Sequence, residues 1–195
     1  MLKLGVLISG GGSNLQAILD ACVFGALKGK AEVAVVISNN KNAYGLERAR
    51  KHGVPAVFID RKKFAGPAGF CEEIKNELSK YGAGLVCLAG YLLKLEPNLV
   101  GAFKIMNIHP ALLPKYGGKG MYGHFVHEAV IKAGDKESGA TVHWVDEHYD
   151  HGGIILQKNV PLAAGDTPET LAERVLEAEH ELYPRAILKV INDKF

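Results

Sequence analysis

Near-continuous apolar runs constrain this chain most: Leu4 to Ile8, Val33 to Ile37, Ala56 to Ile59 and Leu85 to Leu88, then Ile105 to Ile108. A strand wetted on one face alternates polar and apolar residues. Unbroken runs fit strands covered on both faces, as in a buried parallel sheet. Helical patterns lie between the first four runs. Leu15, Ile18, Leu19 and Cys22 recur at helical spacing, and a longer helix is predicted from about Phe70 to Lys80. Alternating strand and helix predicts an α/β fold with a doubly wound, mostly parallel, Rossmann-like sheet. At 195 residues, with no repeat, low-complexity stretch or Pro/Ser-rich linker, one domain over 1–195 is expected.

Past Pro110 the pattern changes. A Gly-rich stretch, Gly117-Gly118-Lys119-Gly120 with Gly123, reads as a mobile loop and precedes a helix around Val126 to Ala133. Two strand-like runs, Ala140 to Asp146 and Ile154 to Leu162, flank a turn containing Asp150-His151-Gly152-Gly153, and this hairpin would extend the sheet in a mixed sense. Asp166-Thr167-Pro168-Glu169 supplies an N-cap, a first-turn proline and an acidic residue for a last helix, which Tyr183-Pro184 is expected to kink or end.

The fifth run closes on Asn107-Ile108-His109-Pro110. Side chains two apart on a strand point the same way, so Asn107 and His109 share a face. Pro110 cannot donate a ladder hydrogen bond, which stops the strand and leaves the pair at its carboxyl end, where open α/β sheets bind ligands. His109 is a candidate general acid or oxyanion donor if a carboxylate keeps it protonated, and Asp150, in its glycine-flanked turn, is the candidate carboxylate. Taken singly, each also reads as an ordinary core histidine or turn aspartate.

Gly10-Gly11-Gly12-Ser13-Asn14-Leu15-Gln16 joins the first strand to the first helix, and Ser13-x-x-Gln16 has the form of a capping box. Free N–H groups and the helix dipole favour a phosphate there. The Gly-Lys-Ser/Thr of a P-loop is missing, Leu15 replaces the third glycine of a dinucleotide fingerprint, and Ser38-Asn39-Asn40 offers no ribose-binding acid. A phosphomonoester fits better than NAD.

A net charge of +2 with 23% charged residues gives no field that implies nucleic acid or an acidic membrane, so a small molecule is the expected partner. Cys22, Cys71 and Cys87, without a C-x-x-C pair, read as buried thiols, and with no membrane-length apolar run or signal sequence they favour a reducing cytoplasm. No G-x-S-x-G elbow or nucleophilic cysteine context is present, which favours direct transfer over a covalent intermediate. His124 with His127, and His148 with His151, have ligand-like spacing but no completing acid or thiol cluster; they read as loop and surface histidines, and no metal is expected. Glu179, on the last helix, reads by itself as a solvated charge.

Together these stretches resemble the folate-dependent phosphoribosylglycinamide formyltransferases of purine biosynthesis, across nearly the whole chain. The motifs are Leu7 to Gln16, Gly45 to Ala49, Leu88-Ala89-Gly90-Tyr91, Asn107 to Pro110 with Leu112 to Tyr116, Asp146 to Gly152, and Glu179-His180 with Tyr183-Pro184. The resemblance implies the formyltransferase fold and attack of the glycinamide ribonucleotide amine on the formyl carbon of 10-formyltetrahydrofolate, a co-substrate. It implies that Asn107, His109 and Asp150 are catalytic, that Gly12, Ser13 and Asn14 hold the phosphate, and that Glu179 holds the ribose or glycinamide end. It implies a folate site along Leu92, Leu93, Lys94 and Leu95 and the loop of Asp146, Glu147, His148, Tyr149 and Asp150, with Asn107 and His143 nearby. Leu93 and Pro67 stand where relatives often carry arginines, and Lys62, Lys63 or Lys94 are candidates to replace that charge. Methionyl-tRNA formyltransferase and formyltetrahydrofolate hydrolase share the site, but each is expected to need a further domain. A non-catalytic nucleotide-binding module is the reading from another class; a monomer or homodimer is expected.

Overall fold

Alternating side-chain direction explains how the central strands are buried on both faces. The computed structural model describes residues 1–193. Its strands are β1 (Leu2–Ile8), β2 (Ala31–Ser38), β3 (Ala56–Phe58), β4 (Leu85–Leu88), β5 (Ile105–His109), β6 (Glu137–Trp144) and β7 (Ile154–Pro161). The helices are α1 (Ser13–Val23), α2 (Tyr44–Lys51), α3 (Pro67–Lys80), α4 (Pro97–Val100), α5 (His124–Ala133) and α6 (Pro168–Asn192), with a 3-10 turn at Arg61–Lys63. The seven strands form one sheet in the order β3-β2-β1-β4-β5-β6-β7. β1 to β5 pair in parallel, while β6 pairs antiparallel with both β5 and β7 and is the one reversed strand among the described residues. The mostly parallel α/β architecture expected from the runs is therefore the one observed.

Leu4, Val6 and Ile8 of β1, with Leu85 and Cys87 of β4, enter one core, closed by α1, α2 and α6. Leu7, Val86 and Leu88 enter the other, closed by α3 and α4. Each fully buried aliphatic side chain contributes roughly 1.5–3 kcal/mol, so two filled cores hold the sheet between two helical layers. The strand order reverses at β1/β4, and ligands bind outside the carboxyl ends at such a switch point.

Three expectations need correction. Ser13 and Gln16 form no capping box: the α1 N-cap is Gly12, at φ 72° and without a side-chain cap. The Gln16 amide instead reaches Asp20 and His52, and its oxygen accepts from Arg48. A reciprocal box forms at the start of α6, between Thr167 and Thr170. Pro184 does not end α6, which continues to Asn192; Tyr183, Pro184, Ala186 and Ile187 are all buried, and packing of that face outweighs the lost hydrogen bond. Cys71 and Cys87 are buried as expected, whereas Cys22, near the end of α1, is only partly so. Among the described residues no helix is long and apolar enough to cross a membrane.

Candidate active site

β5 ends at His109, one residue before Pro110, and pairs with β6 so that Asn107 lies opposite His143 and His109 opposite Thr141. Asn107 Nδ2 is 3.3 Å from His143 Nε2. His143 Nδ1 is 2.8 Å from the Trp144 carbonyl, which only accepts, so that nitrogen carries a hydrogen. In the neutral ring Nε2 then accepts from the Asn107 amide, whose second N–H has no partner among the described residues.

His109 is 3% exposed and held at both nitrogens. Nε2 donates to the Tyr116 carbonyl at 2.8 Å, and Nδ1 is 3.6 Å from Asp150 Oδ2. The other Asp150 oxygen is 3.5 Å from His143 Nε2, and the Gly118 N–H donates to Oδ2 at 3.0 Å. Asp150 reaches this position with a left-handed backbone, φ 54°, that costs a non-glycine residue roughly 1–2 kcal/mol. Burial pushes its carboxyl up, but the contact with the His143 ring, the charge of His109 and the Gly118 N–H outweigh it and hold the group below the usual range. For His109 burial dominates and lowers the imidazole, against the upward pull of Asp150 and the Tyr116 carbonyl. The expected neighbour is present, yet the free site favours a neutral His109 beside an ionised Asp150.

At the opposite wall Asn14 donates to Glu179 Oε2 at 2.7 Å. Glu179 is 7% exposed, so it is a buried acid and not the solvated charge its helical position suggested. Burial raises its carboxyl to about 7, with the Asn14 bond pulling the other way. Asn14 Oδ1 is buried without a partner among the described residues, leaving an acceptor for a ligand hydroxyl or amine. Gly12 sets the turn behind them: a Cβ there would meet the Gly45 backbone at 2.8 Å, so α1 and α2 approach through two glycines.

A cleft of about 1090 Å³ runs between these groups. Ser13, Asn14, Asn107, His109, His143, Asp150 and Glu179 line it, with Leu92 to Leu95 and Asp146 to Tyr149 along one side. Gly12 does not line it. Leu93 and Lys94 do, whereas Lys62 and Lys63 belong to the 3-10 turn and Pro67 to the first turn of α3. The Gly-rich stretch is placed as another wall, from Gly118 to Gly123.

Sequence reasoning missed three contributors. Ser9 donates to Asn39 and accepts from the Leu92 N–H, tying the glycine turn to the Leu92–Leu95 segment. The Tyr183 hydroxyl, fully buried, faces the Leu88 and Met106 carbonyls at 3.0 and 3.1 Å and braces β4 and β5 just before Asn107. His127 is buried on α5 facing the cleft, not on the surface; burial and the nearby His124 and His109 lower it to about 4. Ser9 and Tyr183 lie within the motifs of the family resemblance, but nothing in those motifs assigned their side chains these bonds, and His127 carries no local motif. Among the described residues no group of three or more His, Cys, Asp or Glu could hold a metal ion.

Residues 2–187 match the family model described as formyl transferase. A protein of Arabidopsis thaliana named chloroplastic phosphoribosylglycinamide formyltransferase is 44% identical over 98% of this chain, which spans 66% of its length, just under two thirds. The Haemophilus influenzae phosphoribosylglycinamide formyltransferase is 43% identical over 96% of this chain and 86% of its own. The crystal structure of glycinamide ribonucleotide transformylase 1 from Symbiobacterium toebii superposes with a TM-score of 0.91 at 43% identity, covering 100% of this chain and 89% of that one.

Proposed function

The chain belongs to the formyl transferase family, and from that premise we propose that it transfers the formyl group of 10-formyltetrahydrofolate to the amine of glycinamide ribonucleotide, a step of purine biosynthesis. The observation that carries this reading is the convergence of Asn107, His109 and Asp150 on one cleft whose other wall is Ser13, Asn14 and Glu179. One end suits an acyl-type reaction and the other a phosphorylated, hydroxyl-bearing acceptor.

In the proposed reaction the substrate amine attacks the formyl carbon, and the carbonyl electrons move onto oxygen to give a tetrahedral intermediate. The free Asn107 N–H stabilises that oxygen. The proton released by the attacking nitrogen passes by way of Asp150 to His109 Nδ1, and the imidazolium so formed adds a charged donor. Collapse expels the folate nitrogen, which takes the same proton from His109 as it leaves. The overall proton count is unchanged. Nearby Asp150 favours this transient imidazolium, while burial returns the ring to neutrality afterwards.

The first-turn N–H groups of α1, with Ser13 and Asn14, are assigned to the phosphate, and Glu179 to the ribose or glycinamide end. Leu92 to Leu95, His143 and the Asp146 to Asp150 loop are assigned to folate, with Lys94 toward its acidic tail. The partners are small molecules, with neither nucleic acid nor membrane, and the protein acts as a monomer or homodimer. Three free thiols suit a reducing cytoplasmic compartment.

The test is to incubate the protein with both substrates and follow folate absorbance together with formylated product, omitting the nucleotide in a control. Product that requires both substrates supports the transfer. Folate turnover without nucleotide replaces it with hydrolysis, and binding without turnover replaces it with a non-catalytic module.

A further inference from the structure

Among the described residues, the two non-glycine residues with left-handed backbone, Tyr116 (φ 56°) and Asp150 (φ 54°), stand on either side of the His109 ring. Side chains rarely adopt that region, and where they do at a reacting group the surroundings hold them there. Asp150 brings a carboxylate toward Nδ1; Tyr116 brings its main-chain carbonyl to Nε2 at 2.8 Å. The hold on Tyr116 is visible. Its hydroxyl donates to Asp135 Oδ2 at 2.9 Å, in the turn between α5 and β6, and Lys115 Nζ reaches the same oxygen at 3.3 Å. The next residue, Gly117, lies so close to Leu113 and Asp150 that a Cβ there would meet their side chains at 2.7 and 3.2 Å.

We propose that Tyr116 is a positioning residue: tethered through its hydroxyl to Asp135, it presents its carbonyl to His109 Nε2 and leaves Nδ1 as the nitrogen that exchanges the proton with substrate. The proposal rests on the formyl-transfer reading for its catalytic meaning, but the tether is a property of the free protein. A carbonyl oxygen only accepts, so the neutral ring must carry its hydrogen on Nε2. The opposite tautomer would set two acceptors against each other at 2.8 Å and leave Nδ1 without a lone pair for the arriving proton.

The groups facing the ring are the Asp150 carboxylate from the turn after β6, His143 from β6, His127 from α5 and the Tyr116 carbonyl. Burial and, to a smaller extent, His143 favour the neutral ring, and Asp150 and the carbonyl favour the charged one; His127, itself lowered to about 4, is uncharged where His109 titrates. Cutting the tether therefore moves the His109 titration to lower pH.

The test combines ¹⁵N NMR of histidine-labelled protein with kcat and KM against pH, for the parent and for Tyr116→Phe, Asp135→Ala and Asp135→Asn. The parent should show the Nε2–H tautomer at His109. In Tyr116→Phe and Asp135→Ala that preference should weaken, kcat should fall roughly tenfold with the nucleotide KM within about twofold, and the acid limb should move to lower pH. Asp135→Asn keeps an oxygen acceptor and should recover most of the rate. An Nδ1–H tautomer in the parent overturns the proposal, as does a Tyr116→Phe enzyme with parental tautomer, kcat and profile. The tautomer is read without turnover, so an inactive parent would remove the formyl-transfer reading while the tether is still decided by NMR.

Discussion

At His109 the two neighbouring acceptors do different work, so substitutions around the ring separate charge from position. His109→Ala should lower kcat by roughly 10²- to 10⁴-fold, the range of a lost general acid-base group, while the fold and phosphate binding persist; near-parental turnover would remove the residue from the mechanism. Asp150→Asn takes away the charge that raises the imidazole, so the acid limb of kcat/KM should move to lower pH as the rate drops. A pH series on that variant checks the sign, and an unmoved limb excludes Asp150 as the tuning group. Asn107 and His109 were legible because alternation along one strand is local geometry. Glu179 was legible only through the family resemblance and not from its own pattern, because a charge on a helix looks solvated until the facing element is known, and that element is α1, 165 residues away.

Elements carry their own tests. The turn between β6 and β7 brings Gly152 against the Trp144 backbone, where a Cβ would run into the carbonyl oxygen, whereas at Gly153 it would meet only the Trp144 ring at 3.8 Å. Gly152→Ala should therefore open the hairpin, displace Asp150 two residues earlier and lower both kcat and stability, the latter by about 2 kcal/mol, while Gly153→Ala behaves like the parent. Thermal unfolding and rates on the two variants decide this; equal losses in both would show that the close approach is unimportant. At the start of α6, Thr167→Ala removes the acceptor for the Thr170 N–H and should cost about 1 kcal/mol, seen as a melting point lower by about 3 °C. The two possible boxes show how far local pattern reaches. Ser13-x-x-Gln16 has the spacing but loses Gln16 to Arg48 and His52, partners contributed by α2 and the residue after it.

For the whole molecule, the buried acid on α6 makes stability depend on pH. Glu179 has a folded pKa of about 7, above its ordinary 4.5, so between those values the folded protein holds a proton that the unfolded chain has released. Its contribution is complete below the unfolded value and is lost as pH rises through about 7. Glu179→Gln should match the parent near pH 4 and exceed it by up to about 3 kcal/mol at pH 8 in urea unfolding; a gap that stays constant with pH would refute this. The parallel sheet, its two-faced burial and the place where β5 stops follow from periodicity and proline, which act over a few residues and so can be read along the chain. The sequence also presented Asn107 and His109 on one face. Only the folded arrangement shows that Glu179 is buried against Asn14, that His127 faces inward, that Pro184 leaves α6 unbroken, and that the Tyr116 carbonyl holds His109 on the side away from Asp150. Those outcomes depend on which distant segments meet at the sheet edge, and desolvation and hydrogen-bond partners exist only once they have met.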